Sequence, residues 1–94
     1  MYKSAKLKVL GGKLLEITLE YNGVIKKATI TGDFFMYPES ALQDIEKSLV
    51  GTKVERTEQE IAEQISKKIE GIGVTMIGIG VEDIAKIVKM AVEE

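Results

Sequence analysis

An alternating pattern of apolar and polar residues runs from Lys13 to Asp33 and is interrupted by Asn22-Gly23, the strongest short-range signal for a β-hairpin. If the turn has two residues, Tyr21 pairs with Val24, and eight side chains share one face of the hairpin. Seven of these eight are apolar, and the exception, Lys26, can lay its aliphatic stem along the face near the turn. The predicted face consists of Leu15, Ile17, Leu19, Tyr21, Val24, Lys26, Ala28 and Ile30. Such a hairpin needs other elements to cover its apolar side.

The segments that flank the hairpin carry signals for one more strand and a first helix. Lys6 to Leu10 is predicted to form a short strand that is joined to the hairpin through Gly11-Gly12. After the hairpin, Pro38 suits the first position of a helix, and Gly51 suits the position just past its end. The core-facing stripe of this helix is Leu42, Ile45 and Leu49.

Two further helices follow. Thr57 and Glu60 form the pattern of a capping box, and Gly71 is a natural stop, so a helix is predicted between them. A last helix is predicted from about Val81 to the carboxyl end. The apolar stripes of these two helices are Ile61, Ile65 and Ile69 in the first, and Ile84, Ile87, Val88 and Ala91 in the second.

The intervening residues 71–80, GIGVTMIGIG, fit either a short strand at Val74 to Ile77 or a flexible connection, and the flexible connection is favoured. The chain is therefore predicted to have an α+β fold. A small antiparallel sheet, made of the hairpin and a possible third strand, is covered on one face by about three helices. With 94 residues, we expect one domain that spans residues 1–94.

The composition narrows the range of functions. The chain has no cysteine and no histidine, which removes thiol catalysis, the commonest general base and the usual zinc ligands. We therefore expect no catalytic residue and no metal site in the chain itself. The net charge of −2 gives no strong attraction to nucleic acid or to a membrane. No secretory signal is evident, and the longest uncharged stretch is too short to span a bilayer, so a cytoplasmic location is expected.

The first candidate site is the glycine turn between two lysines. Lys8 and Lys13 flank Gly11-Gly12, so both amines could converge near exposed backbone N–H groups and bind a phosphate or a carboxylate. A plain solvated turn explains the same residues and is the alternative.

The second candidate site is the run Phe34, Phe35, Met36 and Tyr37, at the junction between the hairpin and the first helix. Two interpretations remain open. In one, Phe35 and Tyr37 face the core while Phe34 and Met36 cap the helix end. In the other, the run contacts a partner, because four consecutive bulky side chains strain a small core.

The ordered combination of these motifs resembles a known family. Lys8-x-x-Gly11-Gly12-Lys13, the hairpin, the run Thr31 to Glu39 and a helix that ends Leu49-Val50-Gly51 look like the carboxy-terminal accessory domain of lipoate–protein ligases. The form that it resembles is the separate small subunit of archaeal two-part enzymes, and the resemblance covers nearly the whole chain. One departure is Leu10, where members of the family often have proline. Without proline, the turn is freer to move before a partner binds.

The resemblance implies a heterodimer in the cytoplasm with a large catalytic chain that binds lipoate and ATP with Mg²⁺. That enzyme forms lipoyl-adenylate and transfers the lipoyl group to a lysine of an acceptor protein, whereas the accessory subunit serves the adenylation half-reaction. The implied phosphate-proximal residues are Lys8, Gly11, Gly12 and Lys13, and the implied partner interface is Phe34, Phe35, Met36 and Tyr37.

Two other functions compete with this interpretation. A free-standing α+β domain could sense a small molecule or regulate another protein, as a homodimer joined through the hairpin edge or the aromatic run. A nucleic-acid-binding module is the third possibility. It lacks support because the glycine pairs do not have the GxxG spacing and no strand carries an aromatic and basic platform.

Overall fold

The computed structural model describes residues 1–9, 11 and 13–93, which form five strands and three helices. In chain order the elements are β1 (Tyr2–Lys8), β2 (Leu14–Asn22), β3 (Val24–Gly32), β4 (Phe35–Tyr37), α1 (Ser40–Leu49), α2 (Glu58–Glu70), β5 (Thr75–Ile77) and α3 (Val81–Glu93). Strands β1, β2 and β3 form an antiparallel sheet in that order, and β4 pairs with β5 in a separate two-stranded ribbon. The α+β fold, the hairpin and the strand before it are confirmed.

The hairpin has a different register from the predicted one. Asn22 lies opposite Val24 across Gly23, which has a φ of 77°, and the pairing shifts again between Glu20 and Tyr21. Lys26 is the extra residue at this bulge, because its neighbours pair with Tyr21 and Glu20 while it has no partner.

The bulge changes which side chain enters the core. Ile25 is 1% exposed, whereas Lys26 is exposed, so the expected contact of the Lys26 stem with the apolar face is wrong. The physical reason is that a one-residue insertion exchanges the two faces of a strand. It allows an isoleucine to be buried in place of a lysine.

The helices form two layers over one face of the sheet. α1 packs against β3, and α3 packs against β1 and β2, while α2 lies across α1 and α3. All three helices and both sheets contribute side chains to one core. Its largest fully buried members are Leu15, Ile17, Leu19, Ile25, Ile30, Ile45, Leu49, Ile61, Ile65, Ile84, Ile87 and Val88. The predicted core stripes of α2 and α3 are thus confirmed, with Ile69 only partly buried.

The helix ends agree with the sequence signals except at the start of α1. The cap of that helix is Glu39 and its first residue is Ser40, so Pro38 precedes the helix and does not open it. The Pro38 carbonyl still accepts a hydrogen bond from the Ala41 N–H at 3.0 Å, as the first turn forms.

The capping box of α2 is confirmed. The Glu60 N–H donates to the Thr57 hydroxyl at 3.1 Å, and the Glu60 carboxylate accepts from the Thr57 N–H at 2.9 Å. The hydrogen bond from the Thr57 backbone, with a smaller contribution from its side chain, lowers the pKa of Glu60. Because the folded pKa is lowered, this stabilisation is present above the unfolded pKa and is lost as the pH falls through the folded value.

We expect Thr57→Ala to lower the free energy of unfolding by about 1 kcal/mol, which corresponds to a fall in Tm of about 4–8 °C. The hydroxyl that caps the Glu60 N–H is lost, while the rest of the helix is unchanged. Thermal unfolding at neutral pH followed by circular dichroism measures this effect. The control is Thr57→Ser, which keeps the hydroxyl and should retain most of the stability.

The segment at residues 71–80 contains a strand, so the favoured flexible connection is wrong. Thr75–Ile77 pairs with Phe35–Tyr37, and Gly73 and Gly78 adopt φ angles of 73° and 96° on either side. These glycines supply the left-handed turns that let a short strand leave α2 and enter α3. Over the described ranges, no helix is long and apolar enough to cross a membrane.

Candidate partner-binding site

The ribbon formed by β4 and β5 presents an apolar face to solvent; we call this face the aromatic ribbon. Phe35 is 59% exposed and lies opposite Ile77, which is 52% exposed. Tyr37 is 50% exposed and lies opposite Thr75. Because side chains alternate along a strand, these residues share one side of the ribbon. Large apolar groups that are adjacent and exposed are typical of a protein-binding surface.

The alternation along β4 decides between the two interpretations of the aromatic run. Met36 faces the core and is 5% exposed, whereas Phe35 and Tyr37 face outward, so the core-packing interpretation of these aromatics is wrong. Phe34 is partly buried and packs against the core. Met36 is buried but still lines a hollow of about 260 Å³ beside the ribbon, together with Phe35 and Tyr37.

The two candidate sites predicted from the sequence meet at one hollow of about 480 Å³, which we call the lysine hollow. Its lining residues are Gly11, Lys13, Gly32, Asp33, Phe34 and Phe35. Gly78, at the end of β5, supports one wall, because a Cβ atom placed there would lie 3.3 Å from Lys13 Cγ. The Lys13 stem therefore passes close to the end of β5, and the exposed Lys13 lines the same hollow as Phe35.

Lys8 does not share this hollow, contrary to the expected convergence of the two lysines. Lys8 pairs with Leu14, and a 2.7 Å hydrogen bond from the Val9 N–H to the Lys13 carbonyl extends the ladder by one pair. Successive residue pairs along two antiparallel strands place their side chains on alternate sides of the sheet. Lys8 and Lys13 therefore point to opposite faces of the β1–β2 pair. Gly11 has a φ of 97° and lines the hollow, whereas Gly12 and Leu10 lie outside the described residues.

Gly32 fixes the backbone between the hairpin and the ribbon. A Cβ atom on Gly32 would overlap the Leu14 carbonyl oxygen, and the residue has a φ of 155°. The Asp33 N–H then donates to that same carbonyl at 2.9 Å, which sets the direction in which the chain enters β4. The glycine is therefore required for β2 and the start of the ribbon to approach closely. Asp33 and Lys13 both line the lysine hollow.

Sequence reasoning missed two members of the site. Ile77 and Gly78 lie about forty positions after the aromatic run and join it only through pairing of β4 with β5. The apolar residues between the glycines of residues 71–80 were the available signal for this strand. Within residues 1–9, 11 and 13–93, no group of three or more acidic side chains could hold a metal ion.

The family model described as "Bacterial lipoate protein ligase C-terminus" matches residues 2–88. The chain belongs to this family. The match includes the lysine hollow and the aromatic ribbon, as well as all three helices in whole or in part. The family resemblance noted from the glycine, lysine and aromatic motifs is confirmed.

Two similarities to individual proteins agree with this membership. Lipoate-protein ligase A subunit 2 of Thermoplasma acidophilum is 41% identical over 44 residues, which cover 46% of this chain and 47% of that protein. The aligned segment thus spans about half the length of this curated relative. A solved structure has a TM-score of 0.70 and 30% identity over 94% of this chain and 92% of the other. That structure comes from a study of a bi-partite lipoate protein ligase and its E2 lipoyl domain from Thermoplasma acidophilum.

Proposed function

We propose that the chain is the accessory subunit of a two-chain lipoate–protein ligase, with residues 1–94 acting as one domain in the cytoplasm. The observation that carries this proposal is the family match over residues 2–88, supported by a fold similarity that spans nearly all of both chains. The absence of cysteine and histidine fits a subunit that assists catalysis in another chain. This evidence favours the ligase over a free-standing sensor domain and over a nucleic-acid-binding module.

The reaction assigned to the complex has two steps and uses ATP, Mg²⁺ and lipoate. A lipoate carboxylate oxygen attacks the α-phosphorus of ATP and releases pyrophosphate, which gives lipoyl-adenylate. A lysine amine of the acceptor protein then attacks the acyl carbon and releases AMP. We assign this subunit to the first step, in which negative charge on the phosphates is stabilised by cations and N–H donors.

Lys13 is the residue of this chain best placed to contribute such a cation. Its stem is supported by Gly78, and it lines the lysine hollow together with Gly11 and the Phe35 ring. Asp33 also lines the hollow, but no salt bridge between it and Lys13 is found among the described residues. Lys8, on the opposite face, and Gly12 remain part of the sequence prediction for this loop and have no assigned contact.

The aromatic ribbon is the proposed contact with the large chain. Phe35, Tyr37 and Ile77 supply exposed apolar area, and Phe34 and Met36 support it from below. Aromatic side chains in such a patch commonly dominate the binding energy of an interface. Since Phe35 also lines the lysine hollow, docking at the ribbon would bring Lys13 to the edge of the partner.

Reconstitution with the cognate large chain tests the proposal. We expect the two chains to co-elute on size exclusion, and we expect lipoate-dependent pyrophosphate release to require this subunit. Heat-unfolded subunit is the control for effects of added protein. If the large chain adenylates lipoate equally well alone, the accessory role is refuted. If this chain instead forms a homodimer and never binds the large chain, the sensor interpretation regains support.

A further inference from the structure

The end of the molecule near the hairpin turn carries a concentrated positive charge, and we call it the basic end. Two hollows adjoin there and share Val50, which is 50% exposed. Their cationic lining residues are Lys26, Lys27, Lys47, Lys53 and Arg56, all of them exposed. The same linings contain two carboxylates, from Glu46 and Glu60. The surface is thus locally positive although the whole chain has a net charge of −2.

The cations at this end are available to a ligand. In the part of the chain that the structure describes, the single salt bridge joins Lys89 to Glu93 and involves none of these five cations, although the Lys89 amine also donates to the nearby Val54 carbonyl at 2.9 Å. The two nearby carboxylates already have partners. Glu46 accepts from the Ile30 N–H at 2.7 Å, and Glu60 accepts from the Thr57 N–H in the capping box. Neither carboxylate forms a salt bridge with a cation of the basic end. The charge of Arg56 makes only the smallest contribution to the lowered pKa of Glu60, and Glu20 lies opposite Lys27 across the hairpin without a salt bridge.

A hydrogen-bond relay holds part of this surface in place. Arg56 donates to the Gln64 side-chain oxygen at 3.0 Å, and the Gln64 amide donates to the Ser48 carbonyl and to the buried Thr52 hydroxyl, each at 2.8 Å. α2 is thereby tied to the turn after α1. A guanidinium that is positioned before binding loses less conformational entropy when it engages a carboxylate.

The hollow of about 310 Å³ at the edge of β3 also offers backbone groups. Ile30 turns its N–H outward to Glu46, and Ile25 turns both of its backbone groups outward to Thr52 and Gly51. By the alternation of an antiparallel ladder, the N–H and C=O of Ala28 also point out of the edge. Ala28 lines the hollow, and no hydrogen-bond partner is found for these two groups among the described residues.

We propose that the basic end is a docking surface for an acidic segment of a protein, with one carboxylate seated in the hollow beside Ala28. Charge complementarity selects this occupant, because five cations and an outward backbone N–H suit carboxylates. The exposed Val50 adds an apolar contact that a protein segment can cover. A symmetric contact between the basic ends of two copies is disfavoured, since like charges would oppose each other.

The basic end is separate from the aromatic ribbon, so both can be occupied together. α1 begins at Ser40, just after the ribbon, and ends at Leu49, next to Val50 of the basic end. Its ten residues span about 15 Å. Under the proposed function, a subunit docked through the ribbon would therefore keep this surface free for a second, acidic protein.

The test uses fluorescence anisotropy of a short fluorescein-labelled polyglutamate peptide at low ionic strength. We expect the combined change Lys26→Glu, Lys47→Glu and Arg56→Glu to weaken binding by about tenfold, because several attractive contacts become repulsive. The matched control is Lys67→Glu, Lys68→Glu and Lys86→Glu, which makes the same charge change at three exposed positions on α2 and α3. This control should alter binding by no more than about twofold.

Each outcome decides the proposal. If both triple variants weaken binding equally, the attraction is a general field effect and the assigned surface is wrong. If a single-stranded oligonucleotide or phosphatidylserine vesicles bind the wild-type chain more tightly than polyglutamate, the occupant is wrong. The experiment needs no large chain, so failure of the ligase assignment would leave its result intact. Where the large chain is bound, the triple variant of the basic end should still form the complex.

Discussion

Combining Phe35→Ala with Tyr37→Ala should weaken binding to the proposed large ligase chain by about 100-fold or more, because two aromatic anchors are removed from the centre of the apolar patch. Phe35 and Tyr37 are 59% and 50% exposed, so the patch loses contact area while the core is left intact. The isolated chain should lose about 1 kcal/mol or less, chiefly from the cross-strand contact of Phe35 with Ile77. Surface plasmon resonance against the immobilised large chain measures the change.

A matched exposed aromatic provides the control for this prediction. Tyr2 is 69% exposed on β1, remote in sequence from the ribbon, and Tyr2→Ala should leave the affinity within about twofold. Circular dichroism of the double variant should show the wild-type fold, which excludes unfolding as the cause. An unchanged affinity in the folded double variant would place the interface elsewhere on the molecule. Phe34→Ala is a weaker test, since Phe34 also packs against the core.

The sequence predicts the larger elements because their signals are local. The capping box at Thr57 and Glu60 defines where α2 begins, and the alternation on either side of Gly23 defines the hairpin. The register of the hairpin is the exception, because the sequence pattern predicts a different pairing of β2 with β3 from the one observed. The bulge at Lys26 forms if the free energy gained by burying Ile25 exceeds the cost of one irregular pair. The helices that cover the sheet determine that gain, and they are distant in sequence from the hairpin.

The aromatic ribbon could not be predicted in full, because it joins segments that are distant in sequence. The sequence identifies Phe35 and Tyr37 as candidate contacts with a partner. Their outward orientation follows from the strand β4, which pairs with β5 and turns Met36 toward the core. A three-residue strand has too few positions for periodicity to distinguish it from a loop. The sequence therefore predicts a connection at residues 71–80, although Thr75–Ile77 forms one of the two strands of the aromatic ribbon.

The lysine pair illustrates the limit of spacing arguments. Lys8 and Lys13 flank a glycine turn, and this proximity in sequence suggested convergence. The ladder between β1 and β2 continues to Val9 and Lys13, and the pleat then separates the two amines. Sequence spacing could not show that Lys13 lines one hollow with Phe34 and Phe35 and lies close to Gly78.

Under the proposed function, Lys13→Ala should lower lipoate-dependent pyrophosphate release by the two-chain complex by about 100-fold, the usual cost of removing one group that stabilises developing charge. Lys13 is exposed and lines the lysine hollow beside Phe35, but it is not one of the apolar residues of the aromatic ribbon. Binding to the large chain should therefore change little. We expect the loss mainly in kcat, because an interaction that strengthens in the transition state affects the rate more than substrate binding.

Lys8→Ala is the decisive control for this prediction, because Lys8 carries the same amine on the opposite face of the β1–β2 strand pair. We expect it to retain the wild-type adenylation rate within about twofold, since a charge on the far face is screened by solvent. Lys13→Arg should recover part of the activity by restoring the positive charge with a different shape. Equal losses in Lys8→Ala and Lys13→Ala would show that the loop acts through its overall charge. In that case the geometry of the lysine hollow would have no specific role in adenylation.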